Sequence, residues 1–392
     1  MLVVDDPGIA AGLKLLRGEW AERSSGEISV LEWTAQELLG ADDVTADAII
    51  YPTRYLGALV EREAIRPVRK SVLASDELAL DDIYPLVRNR AMRFGAQVFA
   101  ISLGEAPLLL VSREEMAGSP EWRELRAPLG SEKPTLTYPL AVEFLLRGSA
   151  YARQGKQPVR WFHTDSMQPQ LVGEPFVRAL TDMIAGGKQV ESEMADRLSI
   201  GWPSSARGNA ADSTNYGALP QSSEVFSPLL KTWEPPDRQR EVAYLGFAGR
   251  MASVTRATRN SSSAFKLLRW LASPEISTQL SPRSDATLWF RQSQKSKAKK
   301  WLGAAQNPDE VTELVGQLLS SGDAHVLPRI PGIDEYLQSL QAEISAAIDA
   351  KDSSPALLER IAVEWNEITD RYGRGRQAVV YRRHLGLEES TD

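Results

Sequence analysis

The stretch AYLGFAGRMASVTRATRNSSSAFKLLRWLASPEIS, residues 243–277, decides the fold. Met251 to Thr255 has the β-branched content of a strand. Asn260 and the serines after it can cap a helix, because a short side-chain oxygen accepts from the free amides of a first turn. Ala264, Leu267, Leu268 and Leu271 then recur at the i, i+3, i+4, i+7 spacing of one buried face. Pro274 stops that helix, and Ser273-Pro274-Glu275 reads as a cap followed by proline at the first position of the next. The pattern is strand, capped helix, short second helix. It holds no cluster of nucleophile, base and metal ligand.

The first hundred residues show the same alternation. Strands are expected in LVVDD (2–6), EISVLEW (27–33), ADAIIYP (46–52) and QVFAISLG (97–104). Helices are expected in PGIAAGLKLLRGEWAERSSG (7–26) and TRYLGALVEREA (53–64). Strands alternating with helices predict an α/β fold with a mainly parallel sheet covered on both faces. Ligands in such folds sit beyond the carboxyl ends of the strands. That rule points to Asp5, Asp6, Trp33 and Tyr51.

A second segment follows, with PLLLVSREEM (107–116), a long apolar helix within 134–155, a helix within 174–186, and ADRLSIGWP (195–203). The stretch 203–223 is rich in Pro, Gly, Ser and Asn and reads as a loop. From about 304 to 386 the pattern is helical, clearest in PRIPGIDEYLQSLQAEISAAIDA. No short-period repeat is present.

Composition narrows the function. The 392 residues suggest two or three domains, enough to bury large cores without staples. A net charge of −7 argues against a general nucleic-acid binder, which needs a basic face. The basic run KSKAKK (295–300) reads as a solvated helix face. No cysteine is present, which removes disulfides, thiolate nucleophiles and thiolate metal sites. No apolar run reaches the roughly 18 residues a membrane helix needs. Met1 leads straight into a core strand, so a removed leader upstream is expected.

Catalytic signatures are weak. The histidines, His163, His325 and His384, are far apart and lack metal spacing. AGGKQV (185–190) lacks the first glycine and the hydroxyl residue of a phosphate loop and reads as a helix end. No G-x-S-x-G elbow occurs, and no acid/base pair can be located among so many carboxylates. Asn260-Ser261-Ser262 fits a glycosylation sequon, but capping explains it more simply. Aromatics say more: ten tryptophans are present, and Tyr51, Tyr138 and Trp202 sit beside Gly or Pro at element ends. A flat apolar ring with a polar edge suits the C–H face of a sugar. Core packing is the alternative for each of them.

The order of these segments resembles the family 1 extracellular solute-binding proteins of ABC importers, the group of maltose-binding protein. ADAIIYPTRYLGALVEREAIRPV is similar to the family's stretch after its third strand, and RNRAMRFGAQVFAISLGEAPLLLVSREEM to its crossing between lobes. ADRLSIGWP looks like the segment that ends GPW, and the opening stretch like the run S-K-N-x-E-A-A-x-x-F. HVLPRIPGIDEYLQSLQAEISAAI is similar to the closing helix. The likeness runs from about 2 to 370. Two departures stand out: Val111-Ser112-Arg113-Glu114 replaces Tyr-Asn-Lys-Asp, and GWP replaces GPW.

The resemblance implies a two-lobed periplasmic-binding-protein-like fold of type II, with a hinge and an interlobe cleft. Expected boundaries are 1–104 plus 220–292 for the first lobe and 105–219 plus 293–392 for the second. It implies a non-catalytic monomer without cofactors or metals, periplasmic or extracellular and membrane-anchored, that carries a carbohydrate to the permease subunits of an ABC transporter. By the same carry-over, Asp5 and Asp6 accept from hydroxyls and Tyr51 stacks or bonds, with Arg54 at the following turn. Glu105 lies at the crossing and Tyr138 before a second-lobe helix. Trp202 is the stacking ring, expected half exposed, and Phe247, Gly249 and Arg250 belong to the loop facing it. Trp33 enters from strand-end logic alone. A two-lobed enzyme of transferase type, or a sensor uncoupled from transport, remains the alternative.

Overall fold

In the computed structural model the described residues are 1–116, 118–125, 128–129, 136–153, 159–185, 197–204, 214–236, 242–303 and 305–387. Residues 186–190 of the glycine-rich run, and 205–213 of the polar loop, lie outside them.

The first lobe is built on a five-stranded sheet. Its order is Leu31–Trp33, Leu2–Val4, Ala48–Pro52, Arg250–Val254, Ile101–Gly104. The first three strands run parallel, and Arg250–Val254 runs antiparallel to both its neighbours. The four strands other than Leu31–Trp33 are buried throughout, as expected when helices cover both faces. The edge strand Leu31–Trp33 is largely exposed.

The opening helix is Ser261–Leu271. It buries Ala264, Phe265, Leu267, Leu268, Trp270 and Leu271, and packs on strands Arg250–Val254 and Ile101–Gly104. Trp270 meets Trp20 at 5.2 Å between ring centres. The expected Asn260 side-chain cap is absent; the residue instead donates its own amide to the Thr258 hydroxyl at 3.1 Å. The Ser273 cap and Pro274 at the first position of Pro274–Leu280 are as expected. The predicted helix 7–26 breaks at Leu16 into Pro7–Leu15 and Arg17–Ser24. The predicted strand 97–104 is two pieces, a short hairpin strand Gln97–Val98 and the sheet strand Ile101–Gly104.

The second lobe has a three-stranded antiparallel sheet, Leu198–Gly201, Leu109–Ser112, Asn215–Gly217. Helix Pro139–Ala152 packs on Glu174–Ile184, with Phe144 against Phe176 at 5.5 Å. Helix Ile333–Ala350 lies on Pro139–Ala152 and on Pro355–Arg371, where Phe162 stacks on Trp365 at 5.0 Å. One strand, Ala324–Val326, interrupts the helical C-terminal third and pairs in parallel with Ala243–Leu245. One boundary needs correction. The hairpin Val225–Ser227/Thr232–Glu234, expected in the first lobe, packs on helix Pro139–Ala152, and Trp233 meets Tyr151 edge-on at 5.9 Å. Its apolar partners are second-lobe residues, so the chain returns to the first-lobe sheet only with Arg250–Val254.

Candidate functional site between the lobes

Strand Leu2–Val4 delivers Asp5 and Asp6, but the two side chains differ. Asp5 is exposed and has a positive φ of 50°, a conformation aspartate tolerates better than most residues. Its Oδ1 accepts from the Ala35 amide at 3.1 Å. Asp6 is buried and works for the fold. Oδ1 caps helix Pro7–Leu15 by accepting from the Ile9 amide at 2.9 Å, and Oδ2 accepts from the Ser284 hydroxyl at 2.5 Å. Arg250 Nε lies 2.8 Å from the same Oδ2, and the guanidinium also donates to the Asp5 and Gly249 carbonyls at 2.9 and 3.0 Å.

Strand Ala48–Pro52 delivers Thr53, Arg54 and Tyr55. Tyr51 is a correction: it is wholly buried inside the sheet, with its hydroxyl 2.8 Å from Ser253 Oγ. The strand continues one residue beyond it, so the ring points into the core and not past the sheet's end. Arg54 Nε faces Asp334 Oδ1 at 3.0 Å. Asp334 stands in the first turn of helix Ile333–Ala350, on the second lobe. The contact is angled off hydrogen-bond geometry, and neither atom has a hydrogen-bond partner among the described residues. Arg54 Nη2 donates to the Tyr55 hydroxyl at 3.0 Å, and that hydroxyl donates to Asp334 Oδ2. Burial would lower the Arg54 pKa, but Tyr55, Asp334 and Asp5 outweigh it and leave it raised. Tyr138, half-buried at the head of helix Pro139–Ala152, feels the same charges. Burial and then Asp334 push its hydroxyl up, while Arg54 pulls it down.

Glu105 sits at the chain crossing, completely buried. Its Oε2 accepts from the Thr53 hydroxyl at 3.0 Å, while Oε1 lacks a hydrogen-bond partner among the described residues. Burial pushes this carboxyl up to about 8, against the Thr53 hydroxyl, the Gly246 amide, the Arg329 charge and the Ala106 amide. Gly249 lies directly against it. At a φ of 99°, with a Cβ that would fall 2.5 Å from Glu105 Oε1, this position admits only glycine without strain. Gly249 is held by Thr53 and Ala286 backbone bonds of 3.3 and 2.6 Å. Phe247 beside it is buried.

Trp202 ends strand Leu198–Gly201 as expected, but it is only 5% exposed, not half exposed. Its indole N–H donates to the Asp285 carbonyl at 2.8 Å. This bond ties a second-lobe strand end to the segment that also supplies Ser284 to Asp6. Trp33 is half-buried against the core, with its carbonyl accepting from the Asp5 amide at 3.0 Å.

Arg54 and Asp334 meet between the lobes, Asp5 and Tyr138 lie within reach of their charges, Glu105 packs against Gly249 and bonds Thr53, and Tyr51 is buried in the sheet. Sequence reading missed Thr53, Tyr55, Ser284, Asp285 and Asp334. Tyr55 and Asp334 carried a faint signal, one a hydroxyl ring beside Arg54 and the other a carboxylate after the turn at Gly332. Ser284 and Asp285 carried none. Among the described residues no group of three or more His, Asp or Glu could hold a metal ion.

No protein-family model matches the chain, and no curated protein matches it. Solved structures do. An ABC-transporter solute-binding protein from Agrobacterium radiobacter, in complex with ribitol, aligns at a TM-score of 0.65 and 14% identity, over 94% of this chain and 97% of that one. The sugar-binding protein MalE of Xanthomonas citri aligns at 0.65 and 12%, over 95% and 97%. A solute-binding protein from Agrobacterium vitis with bound D-mannitol aligns at 0.63 and 12%, over 95% and 98%. The chain has the two-lobed α/β fold of these binding proteins.

Proposed function

We propose that this chain is a solute-binding protein of an ABC importer that holds a hydroxyl-rich ligand, a carbohydrate or polyol, between its lobes. One observation carries the reading. Three buried polar atoms, Arg54 Nε, Asp334 Oδ1 and Glu105 Oε1, lie around the junction of the lobes without hydrogen-bond partners among the described residues. Buried polar groups are nearly always paired, and a lost partner costs about 1–3 kcal/mol. The donor Arg54 Nε and the acceptor Asp334 Oδ1, 3.0 Å apart, match a ligand hydroxyl, which both donates and accepts. Two of the fold's neighbours carry polyols, which supports the same class.

In this reading Arg54, Asp334 and Tyr138 read hydroxyls from opposite lobes, with Asp5 and Trp33 at the rim. Glu105 adds a buried carboxyl with one oxygen unspent. Trp202, Phe247 and Gly249 shape the wall. Arg250 and Asp6 hold that wall from behind. A ligand bridging Arg54 and Asp334 favours the closed arrangement of the hinge, by as much as its affinity for the two states differs. The chain acts by binding and delivery, not catalysis, outside the inner membrane, with permease subunits as its partners. Among the described residues no helix is long and apolar enough to cross a membrane.

Isothermal titration calorimetry against ribitol, D-mannitol, maltose and a set of non-hydroxylated solutes tests this. We expect saturable one-to-one binding of at least one polyol or sugar. Binding of a polyamine, a peptide or a dicarboxylate, with none of the sugars or polyols, overturns it.

A further inference from the structure

A separate cavity of about 350 Å³ shares no lining residue with the interlobe group. Six arginines line it: Arg90, Arg93, Arg153, Arg160, Arg329 and Arg383. They come from distant parts of the chain. Arg90 and Arg93 flank a first-lobe turn, and Arg153 ends the second-lobe helix Pro139–Ala152. Arg329 follows strand Ala324–Val326, and Arg383 lies on the last helix, Arg374–Leu385. Among the described residues the cavity's one carboxylate is Asp323, 3.7 Å from Arg153. This concentration of positive charge stands in a protein of net charge −7.

Like charges gathered in one cavity repel, the more so where they are shielded from water. Protein partners take up only part of this charge: Arg153 faces Asp323 and Arg329 interacts with Glu105, while Arg90 and Arg160 are exposed at the cavity's edge. Arg90 and Arg160 make no hydrogen bond or ion pair among the described residues, and Arg153 Nη1 is buried without a hydrogen-bond partner there. Arg329 is held ready, donating to the Ala91 carbonyl at 2.8 Å and to His384 Nδ1 at 3.3 Å. His325 accepts from the Val159 amide at 3.2 Å. Burial first, and then the neighbouring arginines, push both histidines down, His325 to about 3. They therefore add no charge of their own. Guanidinium forks match the paired oxygens of phosphate in geometry as well as charge. The volume is at the small end for sites that take one small molecule, roughly 300–1,000 Å³.

We propose that this cavity is a second ligand site that takes a phosphate-bearing anion, held by Arg90, Arg153, Arg160 and Arg329. It shares no lining residue with the sugar-reading group, and Arg329, whose charge acts on Glu105, links the two electrostatically.

The test is calorimetry of the whole protein with inorganic phosphate and with pyrophosphate, at ionic strength fixed by sodium chloride. Co-sedimentation with phosphatidylglycerol and phosphatidylcholine vesicles runs beside it. We expect one saturable site for phosphate or pyrophosphate. The double variant Arg90→Gln/Arg160→Gln should bind about tenfold more weakly or worse while keeping its melting temperature in chloride, since charge-assisted bonds of this kind contribute about 1.5–3 kcal/mol. Arg54→Gln, in the interlobe group, should bind phosphate unchanged. Retention on phosphatidylglycerol vesicles alone, lost in the double variant, would assign the phosphate to a lipid headgroup. Equal binding by wild type and double variant, or no binding to any of these probes, overturns the site.

Discussion

Two arginine–carboxylate pairs lie near the same strand ends and do opposite things. Arg250–Asp6 lies within the first lobe, with side chains 7% and 1% exposed. Both Asp6 oxygens accept hydrogen bonds from its own lobe, one from a helix amide and one from Ser284. Arg54–Asp334 joins the two lobes, with side chains 20% and 26% exposed, and its facing atoms are misaligned for a hydrogen bond. In the first pair Arg250 Nε too lacks a well-angled hydrogen bond, but its other nitrogens and both Asp6 oxygens are bonded within one lobe. The second depends on a hinge and keeps unused hydrogen-bonding capacity. In the proposed reading, a charge at a strand end is free for ligand only where its lobe leaves it exposed and unspent.

The sharpest way to break the comparison is Asp6→Ala. It strands the Arg250 guanidinium in a buried place and removes the cap of helix Pro7–Leu15. Losing one partner of a buried pair costs about 3–5 kcal/mol. Urea denaturation should show a loss of that size. The folded fraction should bind a confirmed ligand with little change. A loss under about 1 kcal/mol would mean that Asp6 is no more structural than Asp334.

Glu105 stands between the two cases, buried like Asp6 yet with one oxygen unspent. Its folded pKa is about 8 against an ordinary value of 4.5. Between those values the folded protein holds a proton that the unfolded chain has released. Stability from this group is therefore full below about pH 4.5 and declines as pH rises toward 8. The total is on the order of 5 kcal/mol. Glu105→Gln, which cannot ionise, should lose that slope. Unfolding free energies of both proteins at pH 5 and pH 8 check it. Parallel slopes would show that Glu105 is already ionised at pH 5.

Much of the fold was legible because periodicity is local. The spacing of Leu267, Leu268 and Leu271, the Ser273-Pro274 junction and the apolar run 48–52 each specify an element without tertiary help. The site was only half legible. Asp5, Arg54, Glu105 and Tyr138 were named from strand ends and from the resemblance, and their part in ligand binding belongs to the proposed reading. Tyr51 misled because alternation along a strand, not nearness to its end, decides which way a side chain faces. Trp202 was placed at the right strand end, but its partner Asp285 is 83 residues away, and sequence shows neither that bond nor the burial it brings. Asp334 is 280 residues from Arg54 and meets it only because helix Ile333–Ala350 packs on Pro139–Ala152.

The gentlest change is the most informative. Asp334→Asn keeps the size and the oxygen that accepts from Tyr55, and it removes the charge facing Arg54. The pair is partly exposed and poorly aligned, and such pairs contribute about 0–1 kcal/mol, so denaturation should scarcely register the change. Ligand affinity should register it. A hydroxyl that donates to Asp334 Oδ1 loses a charged acceptor, which costs about 1.5–3 kcal/mol, or roughly tenfold to a hundredfold in Kd. The free protein should also sample wider openings, because a charge–charge contact between its lobes is gone, and small-angle scattering should report a larger radius of gyration. An Asp334→Asn protein that unfolds as readily as Asp6→Ala while binding its ligand as tightly as wild type would show that the interlobe pair is a structural clamp. The reading of hydroxyls would then have to move elsewhere in the cleft, with Glu105 the next acceptor to test.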